Sequence, residues 1–428
     1  MIKNSFSTKD RGFSPFLLCS LFIITLLLTP AIAKAAEPTI GGGMRFTLYA
    51  PMAKEVTLHG SGILRKQKMM RQADGNWTYV SPALASDMYT YNFIIDGEVT
   101  QTEPAGTPVV RDIDQYFNHF FVPGWPADYY IDQPVAHGRV EQPWYSSNLN
   151  GMAQRRMSVY LPAGYDDDTT RRYPVLYLLH GSGGDETSWL SMGRLQQIMD
   201  MMIAQGKCKP MIVVMPNGNA EIDAAPGESP YMNAKPKANN MSSMTGRIEA
   251  AFPREVMAYA ENKYRIEADK QHRAIAGMSL GGLHTLYISA NNPQSFGYVG
   301  LFSPQTTNTL NDKKISGIKK LTNGITKIAG KVPVVGGKWE EKLDGKFEKY
   351  DDVVIYDSLD QKLAAQFYNP PYLYYIAVGR SDYVMKLVTM HRQRLDAAGY
   401  KYEYNESEGG HTWDNWRRYL LDFLPKLF

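Results

Sequence analysis

Arg273-Ala-Ile-Ala-Gly277-Met278-Ser279-Leu280-Gly281-Gly-Leu-His284-Thr-Leu-Tyr-Ile-Ser-Ala290-Asn-Asn-Pro293 is the stretch on which the reading turns. Its first residues form a short apolar run with strand character. From Leu280 to Ala290 the pattern is helical, and Asn291-Asn292-Pro293 stops it. Between them lies G-x-S-x-G, with glycines two residues either side of Ser279. A chain that turns from strand to helix within so few residues forces the serine into a strained conformation, and larger flanking side chains would collide there. The turn lifts the hydroxyl above the sheet edge at a helix N-terminus, where developing negative charge is favoured. The competing reading is a serine that caps a helix after a tight turn. The flanking strand and helix favour the nucleophile.

Working outward, apolar runs recur at Val175–Leu179, Met211–Met215, Tyr298–Phe302 and Leu373–Val378. Helical patterns lie between them at 195–204, 254–264 and 383–398. Alternation of this kind predicts a mostly parallel sheet covered on both faces, an α/β class. Ligands in such sheets lie at the carboxyl ends of the strands.

A serine hydroxyl needs a neighbouring base. The expected chain order is Ser, acid, His. His284 and His391 fall within helical patterns. His411 follows the strand-like Tyr400–Tyr404 and sits in Glu406-Ser-Glu-Gly-Gly-His411, whose glycines allow a sharp bend. It is the expected base. Asp382, in Gly379-Arg-Ser-Asp382 after an apolar run, is the expected acid. It competes with a reading as N-cap of the helix that follows; Asp357 and Asp360 are held in reserve. The oxyanion donors are expected at the backbone of Leu280 and at Ser182 or Gly181, in Leu178-Leu-His180-Gly181-Ser182-Gly-Gly184. This loop lacks the Lys-Ser/Thr of a phosphate loop. His180, Asn217 and Trp413 are candidate substrate contacts, and Trp413 and Trp416 can wall the site against water. No metal or cofactor is expected.

Residues from about 40 to 123 alternate in the manner of short strands, with turn signals at Asp74-Gly75 and Asp96-Gly97. A small β-sandwich over 37–124 is expected, then a proline-punctuated linker over 125–150, then the α/β domain over 151–428. Residues 306–366 interrupt the α/β rhythm. A lid and a peripheral elaboration are both open readings.

The first 36 residues read as an export signal: Lys3, Lys9 and Arg11 precede an apolar run from Phe16 to Leu28, and Ala31-Ile-Ala33 and Ala33-Lys-Ala35 offer cleavage sites. The competing reading, an uncleaved anchor, needs a longer run. A secreted or periplasmic protein without stable membrane association is expected after cleavage. The leader carries four basic residues and one acidic. The net charge of +3 therefore resides there, and the remainder balances at 42 against 42. Balance removes a general electrostatic reason to bind nucleic acid. A hydrophobic fraction of 44% and a charged fraction of 21% are globular. Cys208 lacks a partner once Cys19 is removed, so the core alone must hold the fold.

With these residues in place, the chain from Arg156 to Phe428 resembles carbohydrate esterase family one, which includes feruloyl and acetylxylan esterases. The likeness rests on His180-Gly-Ser-Gly-Gly184, Met215-Pro-Asn-Gly-Asn219, Ala276-Gly-Met-Ser-Leu-Gly-Gly282, Phe296-Gly-Tyr-Val-Gly-Leu-Phe302 and Glu408-Gly-Gly-His-Thr-Trp413. It implies an α/β-hydrolase fold and supports Ser279, Asp382 and His411 in their roles. Residues 41–124 resemble an immunoglobulin-like early-set domain, through Phe46-Thr-Leu-Tyr-Ala-Pro51 and Tyr91-Asn-Phe-Ile-Ile-Asp-Gly97. A packing role is favoured for it over glycan binding. The implied substrate is an esterified polysaccharide or oligosaccharide. Siderophore-ester hydrolysis, acyl transfer and an inactive glycan-binding protein are the alternatives.

Overall fold

Alternate residues of the apolar runs point to opposite faces of one sheet, and both faces are covered. The computed structural model describes residues 36–100, 108–229, 246–306 and 355–428. The expected leader and most of the 306–366 interruption lie outside the described residues. The central strands are β1 (Gln154–Leu161), β2 (Val175–Leu179), β3 (Ile212–Pro216), β4 (Arg273–Met278), β5 (Tyr298–Phe302), β6 (Leu373–Gly379) and β7 (Glu403–Ser407). Their spatial order is β1-β3-β2-β4-β5-β6-β7. Strands β2 to β7 are mutually parallel, whereas β1 pairs antiparallel with β3. The sheet is therefore mixed, with a parallel block at its centre.

Period-two alternation divides the core. Tyr177, Val214, Ile275, Val299 and Ile376 face one side, with helices α2 (Leu280–Asn291), α3 (Leu359–Tyr368) and α4 (Met385–Ala397). Leu176, Val213, Ala276, Phe302 and Tyr375 face the other, with α1 (Leu195–Ala204) and α5 (Trp413–Phe423). Each large apolar side chain withdrawn fully from water contributes about 1.5–3 kcal/mol. Dozens of such side chains explain why β2, β3 and β5 are buried along their whole length.

Residues 125–150 are not a surface linker. Ala127 and Tyr130 are fully buried in the second face of the core. The short strands Arg139–Glu141 and Trp144–Ser146 both pair with β1 and extend the sheet. Prolines at 123, 126, 134 and 143 break the periodicity that would have announced these strands.

The N-terminal region is β-rich. One sheet contains Met44–Tyr49 and Asn76–Val80, and a second contains Val56–Gly60, Asp87–Ile95, Val109–Asp112 and Gln115–Val122. Both are antiparallel and share a core of Phe46, Val56, Leu58, Trp77, Tyr91 and Phe93. Asp96 and Gly97 have φ of +50° and +88°, so the expected two-residue turn joins Ile95 to Glu98.

This region is anchored to α5. The Asp87 carboxylate accepts from Arg417 at 2.8 Å and from Arg418 at 2.9 Å. Arg417 also donates to the Met192 carbonyl at 2.9 Å and lies 4.7 Å from the centroid of the Tyr130 ring. Arg111 pairs with buried Asp185 at 2.7 Å and donates to Thr187 at 2.8 Å. A buried guanidinium is tolerated only when such partners compensate its lost hydration.

Candidate active site

Four parallel strands deliver the candidate residues from their carboxyl ends: Gly181 after β2, Ser279 after β4, Asp382 after β6 and His411 after β7. Ser279 has φ +56° and ψ −117°, a strained conformation for a residue with a side chain. Its N–H donates to Phe302 at 2.9 Å, and its carbonyl accepts from Gly282 at 3.0 Å and Gln305 at 3.1 Å. These bonds hold the bend from both sides. A Cβ on Gly277 would run into the Gly281 carbonyl, and one on Gly281 would lie 2.5 Å from the carbonyl oxygens of Leu179 and His180. The two glycines are thus a steric requirement of the bend.

The His411 loop is folded against the end of β6. Gly409 has φ +84°, and its carbonyl accepts from Ser381 N–H at 2.9 Å. Asn415 donates to the Gly410 carbonyl at 2.8 Å. Thus held, His411 Nε2 lies 2.8 Å from Ser279 Oγ. Its Nδ1 lies 2.9 Å and 3.1 Å from the two carboxylate oxygens of Asp382. The Asp382 side chain is fully buried. It also accepts from the Val384 N–H at 3.0 Å, a bond within the turn ahead of α4. The helix starts at Met385 with Val384 as its N-cap and no side-chain cap, so Asp382 is not the cap that the competing reading made it.

Two rings grip the imidazole: Tyr383 at 4.3 Å between centroids and Trp416 at 4.9 Å, edge-on. Tyr383 went unnoticed in the sequence, although it adjoins Asp382. It lines the same cavity as Ser279. Burial, with the Asp382 charge second, pushes the phenol up to about 12, so it remains a donor at neutral pH.

The oxyanion candidates sit beside the serine. The Cβ position of Gly181 is 3.2 Å from Ser279 Cβ, and Gly181 and Ser182 line the same cavity as Ser279 and His411. Leu280 is the first residue of α2. Of the candidate substrate contacts, Trp413 lines the cavity; His180 and Asn217 do not reach it. Both are turned inward. His180 Nε2 accepts from Gly218 N–H at 2.7 Å, and burial lowers its pKa to about 4. Asn217 donates to Glu186 at 2.9 Å and accepts from Asn219 N–H at 2.9 Å. They shape the loops behind Gly181 and Ser182.

The remaining histidines downstream are elsewhere. His284 is buried, with Nδ1 2.8 Å from Glu249, and buried His391 lies 3.2 Å from the Tyr374 hydroxyl. Asp360 pairs with Arg394 at 2.9 Å, and Asp357 precedes the same helix. Cys208 is buried, which pushes its thiol up to about 12, outside the range of a reactive thiolate. Among the described residues no group of three or more His, Cys, Asp or Glu is placed to hold a metal ion. No helix among them is long and apolar enough to cross a membrane.

The cavity over Ser279 has a volume of about 640 Å³. Ser279, Gly181, Ser182 and His411 line it from the α/β sheet, and the β-rich region supplies much of its wall, through His59–Ile63, Ala83–Ala85 and the turn at Asp112–Gln115.

Comparison with known proteins gives these elements a context. A family model described as "Putative esterase" matches residues 149–427. The chain is 33% identical over 277 residues to an endo-1,4-beta-xylanase/feruloyl esterase of Xylanibacter ruminicola, covering 62% of this chain and 35% of that protein. It is 30% identical over 188 residues to endo-1,4-beta-xylanase Y of Acetivibrio thermocellus, covering 41% of this chain and 15% of that protein. The chain therefore spans about a third or less of these relatives. In fold it is similar to the enterobactin esterase of Shigella flexneri, with a TM-score of 0.57 at 15% identity over 90% of this chain and 92% of the other. It is also similar to a ferulic acid esterase of Anaeromyces mucronatus, with a TM-score of 0.52 at 22% identity over 71% and 96%.

Proposed function

The chain belongs to the esterase family, a family of carboxylic-ester hydrolases, and we propose that it cleaves feruloyl or acetyl esters of xylan through an acyl-enzyme on Ser279. The observation that carries this reading is the continuous chain of hydrogen bonds from Ser279 Oγ through His411 to Asp382, at 2.8 Å and 2.9 Å. The names of two relatives, a xylanase/feruloyl esterase and a xylanase, support the substrate class.

In this mechanism Ser279 Oγ attacks the ester carbonyl while its proton passes to His411 Nε2. Asp382 holds Nδ1–H and stabilises the imidazolium. The carbonyl oxygen becomes an oxyanion, met by the N–H of Leu280 and that of Ser182 or Gly181. Collapse breaks the bond to the alcohol, which leaves with the proton from His411. Water then repeats the sequence on the acyl-enzyme, with His411 again as base, and releases the carboxylic acid. The φ of +56° at Ser279 is backbone strain held in the ground state, where it fixes the hydroxyl for attack.

We read residues 1–36 as an export signal and the β-rich region as an immunoglobulin-like early-set domain. The patterns described at sequence level support both. The test is a panel of methyl ferulate, feruloylated xylo-oligosaccharide, acetylated xylan and a linearised siderophore. Turnover of the plant-wall esters is expected. Ser279→Ala should lower kcat by about 10⁶-fold. A variant with wild-type turnover would remove Ser279 from the chemistry, and preference for the siderophore would redirect the substrate.

A further inference from the structure

The family match begins at residue 149, yet the cavity does not end there. The strand Val109–Asp112 turns at Ile113, whose φ is +56°, and pairs Asp112 with Gln115 on the returning strand. The turn brings Asp112 into the cavity that holds Ser279 and His411. Its half-buried carboxylate accepts from Trp413 Nε1 at 3.4 Å, across 301 residues of sequence. That bond is long, and a carboxyl group offers about four acceptor sites, so it retains capacity for a further partner.

The side of the ester this group faces follows from the chemistry of the imidazole. His411 must return its proton to the departing alcohol, so the alcohol lies on the His411 side. The acyl oxygen lies towards Leu280 and Gly181–Ser182. Trp413 is two residues beyond His411, and its indole stands edge-on to Trp189 and Trp416 at 5.3 Å and 5.2 Å. An indole beside a carboxyl group suits a sugar, whose C–H faces pack on a ring while its hydroxyls seek hydrogen-bond partners.

We propose that the β-rich region completes the alcohol-side subsite, and that Asp112 is a specificity-determining residue that hydrogen-bonds a sugar hydroxyl of the leaving glycosyl group beside Trp413. The inference rests on the ester-on-glycan reading above. Burial raises the Asp112 carboxyl to about 6, against the opposing pull of Trp413 and Arg111. In mildly acidic solution it can both donate to and accept from a hydroxyl.

The test contrasts alcohols at a constant acyl group. Asp112→Ala and Asp112→Asn are compared with wild type on two pairs: feruloylated arabinoxylo-oligosaccharide against methyl ferulate, and acetylated xylo-oligosaccharide against phenyl acetate. Asp112→Ala should lower kcat/KM for the sugar ester at least tenfold more than for its simple partner, mainly through KM. Asp112→Asn, which keeps donor and acceptor atoms, should recover most of that loss. Melting temperature and labelling of Ser279 by a fluorophosphonate report the fold. If the alanine variant fails them, the asparagine variant decides, through a KM on the sugar ester raised at least twofold more than on its partner.

Equal losses on both members of a pair, or no loss, would overturn the assignment. So would a loss that separates methyl ferulate from methyl cinnamate, since the carboxyl group would then read the phenol. Wild-type enzyme inactive on both pairs would sink the functional reading itself, a result distinct from an active enzyme indifferent to residue 112.

Discussion

The bend at Ser279 and the loop at His411 reach the same point by different means. The first is imposed by backbone: a left-handed serine, two glycines without room for a Cβ, and bonds from neighbouring main chain. The second is assembled by side chains: Asp382, Tyr383, Asn415 and Trp416 hold an imidazole that the main chain alone does not fix. A motif held by backbone is local in sequence. A motif held by side chains gathers partners from several strand ends, and it tolerates change unevenly.

Substitutions can break or sharpen this contrast. Asp382→Asn preserves the shape of the loop but favours the wrong imidazole tautomer; kcat should fall by about 10⁴-fold with KM nearly unchanged, measured on methyl ferulate. Gly281→Ala attacks the backbone-held side. Its new carbon would press on the carbonyl oxygens of Leu179 and His180, separating β2 from α2. Unfolding in urea should show a loss of about 1–3 kcal/mol, and the displaced serine should cost about 10²-fold in kcat. Were this variant as stable and active as wild type, the bend would not be sterically dictated. The smallest effect is expected at Arg380, which pairs with Glu406 and Glu408 on the exposed side of the His411 loop. Arg380→Ala should leave kcat/KM within about twofold, because exposed ion pairs hold little. A larger loss would mean that surface charge, as well as the inner ring of partners, holds the loop.

The same contrast explains what could be read in advance. Ser279 was legible because strand, turn and helix each have a local signature, and the central strands were legible because burial on both faces leaves continuous apolar runs. His411 was reached by chain order and by the two glycines before it. Asp382 was ambiguous in the sequence because an Asp just ahead of a helical pattern reads equally as its cap; the helix starts only at Met385, and the carboxylate instead meets the imidazole and the N–H of Val384 in the turn. His180 and Asn217 were misjudged as substrate contacts. Their position at strand ends was right for a site, but nothing local reveals that their polar atoms turn inward. The strands at 139–146 were hidden by prolines. The cavity wall from the β-rich region was hidden by distance, since Asp112 and Trp413 meet only after two separate sheets have packed.

The anchor between Arg417 and Asp87 has a mechanical consequence. It lies six residues beyond His411, and α5 begins within two residues of the imidazole. Fewer than two helical turns connect the clamp to His411. The N-terminal sheets therefore act as a splint for the proposed base: rocking of these sheets would be levered onto the ring that lies 2.8 Å from Ser279 Oγ. Accuracy at the proposed reaction centre is thus partly vested in a joint outside the Ser279–His411–Asp382 chain.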